Sequence, residues 1–193
     1  MVIGAILPLV LMLVNLKGLR EAAGANNVLV ALKIIALVLF IVIGGSYLLS
    51  RGDHGNYRPF LPTGFQGVLS GAAIIFFAYV GVNTVTTMAE EVKDPGRTLP
   101  RAILVAMAVC TALDIGVSGV AVGLVNWKVL GPSSAPLETA LVVATSTPFV
   151  IRFVAISALF ATTSVVLSSI FGGSRMLFAM AREGVIPGRL ARI

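Results

Sequence analysis

Long apolar runs separated by short polar connections dominate the chain and predict membrane-spanning helices. Five such runs cover approximately residues 2–14, 27–49, 68–89, 101–125 and 149–180. A helix needs roughly 20 apolar residues to cross the hydrocarbon core, so the first run is expected to be a partial helix. The runs lack the alternation of a membrane barrel, and only helices and closed barrels satisfy backbone polar groups in lipid. The expected fold is an all-α, multi-pass membrane helix bundle, with 1–193 a single transmembrane domain fragment.

Composition supports a membrane protein and argues against a nucleic acid partner. The chain is 58% hydrophobic and 11% charged, whereas soluble domains are about 45–50% apolar and about 25% charged. The net charge of +6 fits membrane topology, because basic residues collect in the cytoplasmic loops of membrane proteins. One set of alternate connections holds nine lysines and arginines and the other holds four, so the first set and the C-terminus are expected in the cytoplasm.

The stretch FFAYVGVNTV, residues 76–85, interrupts the third apolar run with Gly81 and Asn83. Gly weakens a helix, and Asn is costly in hydrocarbon unless its amide has a partner. A broken helix would explain both, because its free carbonyls and amides can hold a ligand near the membrane midplane. A plain helix with a glycine packing notch explains them almost equally well, so the residues alone leave both interpretations open.

Lys33 and Asp114 lie well inside apolar runs and need an explanation. Lys33 lies about seven residues into the second run, and Asp114 lies near the middle of the fourth. Lys33 is either a side chain that extends back to the interface or an inward-facing ammonium that carries a proton or replaces a bound cation. Asp114 is either a structural, hydrogen-bonded acid or a participant in proton or substrate handling. Its partner cannot be identified from the sequence.

The fifth run carries several hydroxyl groups in ATTSVVLSSIFGGS, residues 161–174. They are interpreted as small interface residues whose hydroxyls bond back to the helix backbone, and the alternative is that they supply oxygen ligands to an ion site. The sequence shows no metal-ligand spacing, nucleophile triad or phosphate-binding loop, so no metal, cofactor or catalytic residue is expected. A membrane enzyme is therefore not expected.

Three stretches, in order and at the right spacing, resemble amino acid permeases of the amino acid–polyamine–organocation superfamily. They are NLKGLREAAGANNVLVALKIIALVLFIVIG, FFAYVGVNTVTTMAEEVKDPGRTLPRAI and GGSRMLFAMAREGVIP. The match is nearest to cationic-amino-acid-transporter-like members. It implies a leucine-transporter-type fold with two inverted five-helix repeats, of which this chain would cover the end of the fourth helix through the eighth. The missing helices of the same transporter would then be partners of this chain.

The resemblance favours the broken helix and implies a substrate site around it. Its members would be Phe77, Ala78, Tyr79, Val80, Val82 and Asn83. Backbone carbonyls around Phe77, Ala78 and Val80 would accept the α-amino group of the substrate, with Tyr79 and Val82 near the side-chain pocket. Relatives often carry an acidic residue at the position of Asn83, and many carry an aromatic residue at that of Asp114. The identity of the transported amino acid is therefore open.

The resemblance also implies proton coupling through Lys33, Thr163 and Ser164. Lys33 matches a lysine that stands where sodium binds in sodium-coupled relatives, and the two hydroxyls match groups that face it. The expected function is secondary active transport of amino acids by proton symport and alternating access in a plasma or bacterial inner membrane. The alternative is a non-transporting membrane interaction or sensor module, or one part of a split transporter.

Overall fold

A computed structural model describes residues 19–52, 55–79 and 94–185, together with Val92 and Pro187. In these residues it contains helices, turns and connections and no strand. The α-helices are α1 Leu19–Arg51, α2 Gly64–Phe76, α3 Pro95–Leu124, α4 Trp127–Leu130, α5 Pro136–Ala144 and α6 Pro148–Arg182. Two 3-10 turns, Gly55–Tyr57 and Phe77–Tyr79, lie before and after α2. The prediction of an all-α chain is confirmed.

Three of the described helices are long and apolar enough to cross a membrane: Asn26–Arg51 within α1, Pro95–Leu124 and Pro148–Arg182. At about 1.5 Å per residue, each exceeds the roughly 30 Å of a hydrocarbon core. The helix α3 begins six residues before the predicted boundary at 101. Pro95 suits a first helical position because it needs no amide partner, and the carbonyl of Asp94 accepts the amide of Thr98 at 2.9 Å.

The described residues belong to two compact units, and the unit boundaries at 31/32, 101/102 and 159/160 lie inside α1, α3 and α6. The first unit comprises the described residues of 1–31, 81–101 and 160–193, and the second comprises those of 32–80 and 102–159. In the first unit, Ser164, Gly172 and Ala181 are buried. All three lie in the part of α6 that belongs to this unit, from Phe160 onwards.

The second unit has a core formed by α1, α3, α5 and the start of α6. Phe40 of α1 and Leu141 of α5 are fully buried, and Leu124 of α3 and Val154 of α6 pack into the same cluster. A side chain at Gly44 of α1 would collide with Val120 and Leu124 of α3. Gly44 therefore lets α1 and α3 approach closely, which is how small residues act between membrane helices.

Candidate substrate site

The helix α2 ends in the middle of the third apolar run, at Phe76. The amide of Phe77 donates to the carbonyl of Ile74, three residues back, and a 3-10 turn continues through Tyr79. A 3-10 turn has poorer hydrogen-bond geometry than an α-helix and is used in short pieces, often where a helix ends. The 13 α-helical residues of α2 are fewer than the roughly 20 that a membrane crossing needs.

Tyr79, the last residue of this turn, is held by two side chains of α3. Its hydroxyl lies 3.0 Å from Thr111 Oγ1 and donates to Asp114 Oδ2 at 3.3 Å. Thr111 and Asp114 are three residues apart on one helix and therefore share a face. Tyr79 is half-buried, whereas Thr111 and Asp114 lie on an exposed face of α3. The end of α2 and the middle of α3 thus meet in a cluster of three polar side chains.

The other predicted substrate-site residues divide between described and undescribed parts of the chain. Phe77 and Ala78 belong to the 3-10 turn, and the Phe77 side chain is 77% exposed. Val80, Val82 and Asn83, together with Gly81, lie outside the described residues. The described part of the predicted site therefore consists of the turn Phe77–Tyr79 and the contacts of Tyr79 with α3.

The predicted proton-coupling residues all lie on membrane-length helices. Lys33 is half-buried on α1, in the second unit. Ser164 is 2% exposed and Thr163 is half-buried, both on α6 in the first unit. All three residues have interaction partners. Ser164 is one of the few buried polar side chains among the described residues, and a buried hydroxyl is normally hydrogen-bonded.

Sequence reasoning identified Asp114 and Tyr79 separately but not their contact, and it missed Thr111. The spacing of Thr111 and Asp114 is readable as one polar face of α3. Their shared partner comes from a segment more than 30 residues away, and no local pattern gives that distance.

A second contact on α3 was also missed. The 3-10 turn Gly55–Tyr57 binds the C-terminal end of α3 through two backbone carbonyls. Asn56 Nδ2 donates to the carbonyl of Gly123 at 2.8 Å, and the Tyr57 hydroxyl donates to that of Gly119 at 2.9 Å. A side chain at position 123 would collide with the Tyr57 hydroxyl and with Leu48, so Gly123 is needed for this approach.

The whole chain matches a known protein family. A model of the family described as amino acid permease matches residues 1–193. The branched-chain amino acid permease BcaP of Bacillus subtilis is 35% identical over 176 residues, which are 91% of this chain and 37% of that protein. The methylthioribose transporter of the same organism is 35% identical over 189 residues, 98% of this chain and 40% of that protein.

A plant relative gives a similar match. Cationic amino acid transporter 9, chloroplastic, of Arabidopsis thaliana is 35% identical over 192 residues, 100% of this chain and 33% of that protein. The chain thus spans between about a third and two fifths of the length of these relatives. All three are named as permeases or transporters, which agrees with the expectation that the chain is not an enzyme.

Proposed function

The chain belongs to the amino acid permease family, and from this premise we propose that it forms part of a secondary active amino acid transporter. The chain is a membrane protein, and it supplies the middle helices of a leucine-transporter-type bundle. The transporter works by alternating access, with amino acid and proton carried in the same direction. No covalent chemistry is involved.

The observation that carries this proposal is the end of α2 at Phe76, within an apolar run. The last carbonyls of a helix have no intrahelical donor, and in a membrane they need a partner in protein, water or ligand. Transporters of this fold use such helix ends near the midplane to hold substrate and ions. The α-amino group of an amino acid is a suitable donor to the carbonyls around Phe77, Ala78 and Val80.

The side-chain pocket of the substrate is proposed to lie beside Tyr79, Val82 and Asn83. Tyr79 supports this proposal, because it ends the 3-10 turn that follows α2 and its hydroxyl is held by side chains of α3. The relatives' names cover branched-chain amino acids, cationic amino acids and a sulfur-containing sugar, methylthioribose. Leucine and arginine are therefore the first substrates to test, with methylthioribose as the competing class.

Proton coupling is proposed to run through Lys33 of α1, with Thr163 and Ser164 of α6. Lys33 lies within the span Asn26–Arg51 and is half-buried. Charged side chains inside membrane helices are rare and commonly mark proton or ion pathways. A lysine can exchange its proton, whereas an arginine stays charged. Loss of the proton from Lys33 would weaken contacts that favour one orientation of the transporter and so link protonation to access.

The proposed location is the plasma membrane or a bacterial inner membrane, with the C-terminus in the cytoplasm. The excess of basic residues in one set of connections supports this orientation. Arg97 and Arg101 at the start of α3, with Arg175 and Arg182 near the end of α6, belong to the basic set. Fusion of a fluorescent or alkaline phosphatase reporter to the C-terminus tests the orientation.

Uptake by the full-length protein in proteoliposomes tests the proposed function. Labelled leucine, arginine and methylthioribose are offered separately, with and without an inward proton gradient. We expect accumulation of at least one amino acid that increases with the gradient and disappears when a protonophore collapses it. Accumulation of methylthioribose alone would contradict an amino acid substrate. Equal uptake with and without the gradient would contradict proton coupling.

Substitution of Lys33 tests its role in the same assay. Lys33→Ala removes the exchangeable proton, and Lys33→Arg keeps the charge but cannot release a proton at physiological pH. Both variants are expected to lose gradient-driven uptake. Ligand binding, measured as thermal stabilisation by saturating substrate, is expected to persist. Lys128→Ala, which removes an exposed lysine of α4, is the matched control. Gradient-driven uptake by either Lys33 variant would overturn the coupling role.

A further inference from the structure

Asp114 lies in the middle of a 30-residue helix that is long and apolar enough to cross a membrane. A carboxylate at the centre of such a helix costs about 2.5–3.5 kcal/mol on insertion scales, and it normally faces the bundle interior or a water-filled cavity. The face of α3 that carries Thr111 and Asp114 is therefore an inward-facing surface of the transporter rather than a lipid contact.

The hydrogen bonds around Tyr79 have a defined direction. A tyrosine hydroxyl has one proton to donate and can also accept. It donates to Asp114 Oδ2 at 3.3 Å. The contact with Thr111 at 3.0 Å is then donated by the threonine hydroxyl to the tyrosine oxygen. The hydroxyl is thus bound from two sides, which restrains both the ring and the backbone that carries it.

The restrained residue is the last one of the 3-10 turn that follows α2. The conformation of this turn sets the direction of the carbonyls of Phe77 and Ala78, and a 3-10 turn is weakly stabilised by its own hydrogen bonds. A side-chain attachment to the neighbouring helix therefore contributes to its conformation. Asp114 supplies the acceptor of that attachment.

We propose that Asp114 is a positioning residue that acts through the Tyr79 hydroxyl to hold the end of α2 in its ligand-binding conformation. This inference rests on the proposed function, because it assigns Asp114 a role in the same substrate site. Asp114 does not contact the substrate in this account. Its loss weakens substrate binding by loosening the turn Phe77–Tyr79, and Tyr79 is required for the effect.

A double-mutant cycle tests this dependence. The variants are Asp114→Ala, Tyr79→Phe and the double variant, made in the full-length protein. Apparent KM and maximal rate are measured for labelled leucine and arginine uptake into proteoliposomes. Asp114→Ala removes one hydrogen bond and is expected to raise the apparent KM about fivefold, with a nearly unchanged maximal rate. Tyr79→Phe removes that bond and the one to Thr111, so it is expected to raise the apparent KM at least as much. The double variant is expected to be no worse than Tyr79→Phe alone.

Two further variants separate positioning from general damage. Asp114→Asn keeps an oxygen acceptor and is expected to restore most of the affinity that Asp114→Ala loses. Ser118→Ala removes another polar side chain from the same helix, one turn further on, and is expected to leave the apparent KM unchanged. Equal losses in Asp114→Asn and Asp114→Ala would indicate a role for the negative charge itself and would overturn the positioning role.

The same cycle on thermal stability of the purified, ligand-free protein is independent of transport. The destabilisations of Asp114→Ala and Tyr79→Phe are expected to be less than additive, because the same hydrogen bond between Asp114 and Tyr79 is lost in both variants. Additive changes in stability or in apparent KM would overturn the inference while leaving the proposed function intact. Absence of uptake by the unmodified protein would overturn the proposed function. The stability cycle would then decide the Asp114–Tyr79 contact by itself.

Discussion

Tyr57 and Tyr79 both form hydrogen bonds with α3, and they differ in the groups that they bind. Tyr57 donates to the backbone carbonyl of Gly119, while the neighbouring Asn56 donates to that of Gly123. Tyr79 instead contacts the side chains of Thr111 and Asp114. The two contact points on α3 are five residues apart, from Asp114 to Gly119, or about 7.5 Å along the helix.

The contact of Tyr57 with a backbone carbonyl is a fixed attachment, whereas the contact of Tyr79 with side chains is an adjustable one. The carbonyls of Gly119 and Gly123 are held by the helix itself, and no side-chain rotation can remove them. The side chains of Thr111 and Asp114 can change rotamer, so the Tyr79 contact can be made and broken without disturbing α3. We infer that the Tyr57 contact belongs to the architecture of the second unit and that the Tyr79 contact belongs to the substrate site.

The largest effect is expected at the fixed attachment. Gly123→Ala places a methyl group against the Tyr57 ring and hydroxyl and against Leu48. Overpacking of this kind costs about 1–3 kcal/mol, so the unfolding temperature of the purified protein should fall.

The matched control is Gly119→Ala, because a methyl group at position 119 would meet no atom within 4 Å apart from its own stretch of helix. This variant should be neutral, or slightly stabilising because alanine favours a helix more than glycine does. Equal destabilisation by the two variants would contradict a specific contact between Tyr57 and α3.

A smaller effect with a clearer contrast is expected from the two hydroxyl deletions. Tyr57→Phe removes one hydrogen bond to a backbone carbonyl and should lower stability by about 1 kcal/mol, with little change in apparent KM for uptake. Tyr79→Phe should raise the apparent KM by a larger factor than Tyr57→Phe does. Parallel measurement of uptake kinetics and unfolding temperature checks the contrast. A larger change in KM for Tyr57→Phe would reverse the assignment of the two contacts.

The smallest effect is expected from Thr111→Val, which removes a hydroxyl and preserves the shape of the side chain. Tyr79 then keeps its bond to Asp114, so the apparent KM should rise by about twofold or less, below the increase for Asp114→Ala. Uptake kinetics at several substrate concentrations measure this difference. A loss at Thr111→Val that exceeds the loss at Asp114→Ala would make the threonine, rather than the carboxylate, the principal partner of Tyr79.

The sequence predicted the helical architecture because membrane helices are long and their hydropathy is continuous. The runs 27–49 and 149–180 fall entirely within α1 and α6. The start of α3 was predicted late, because GRTLP before Arg101 is polar and carries Pro100, which suggested a connection rather than a helix.

The partners of individual side chains could not be predicted from the sequence. Asp114 was recognised as an acid that needed a partner, but Tyr79 reaches it only because the turn after α2 lies against α3. In the same way, the sequence does not show that position 123 must be glycine, because the need for glycine comes from the close approach of Tyr57. Such pairs depend on the distance between segments, which hydropathy and periodicity do not encode.

The most direct test of the central claim is substrate protection at the end of α2. Cys110, the single cysteine, is first replaced by alanine, and Ala78→Cys then introduces one thiol into the turn after Phe76. Ala72→Cys, within α2, is the matched control. Leucine or arginine at saturating concentration is expected to slow alkylation of the thiol at position 78 about tenfold or more, because the site is then more than about nine tenths occupied. The rate of alkylation at position 72 is expected to stay unchanged. Equal alkylation rates at position 78 with and without a transported amino acid would contradict a substrate site at the end of α2.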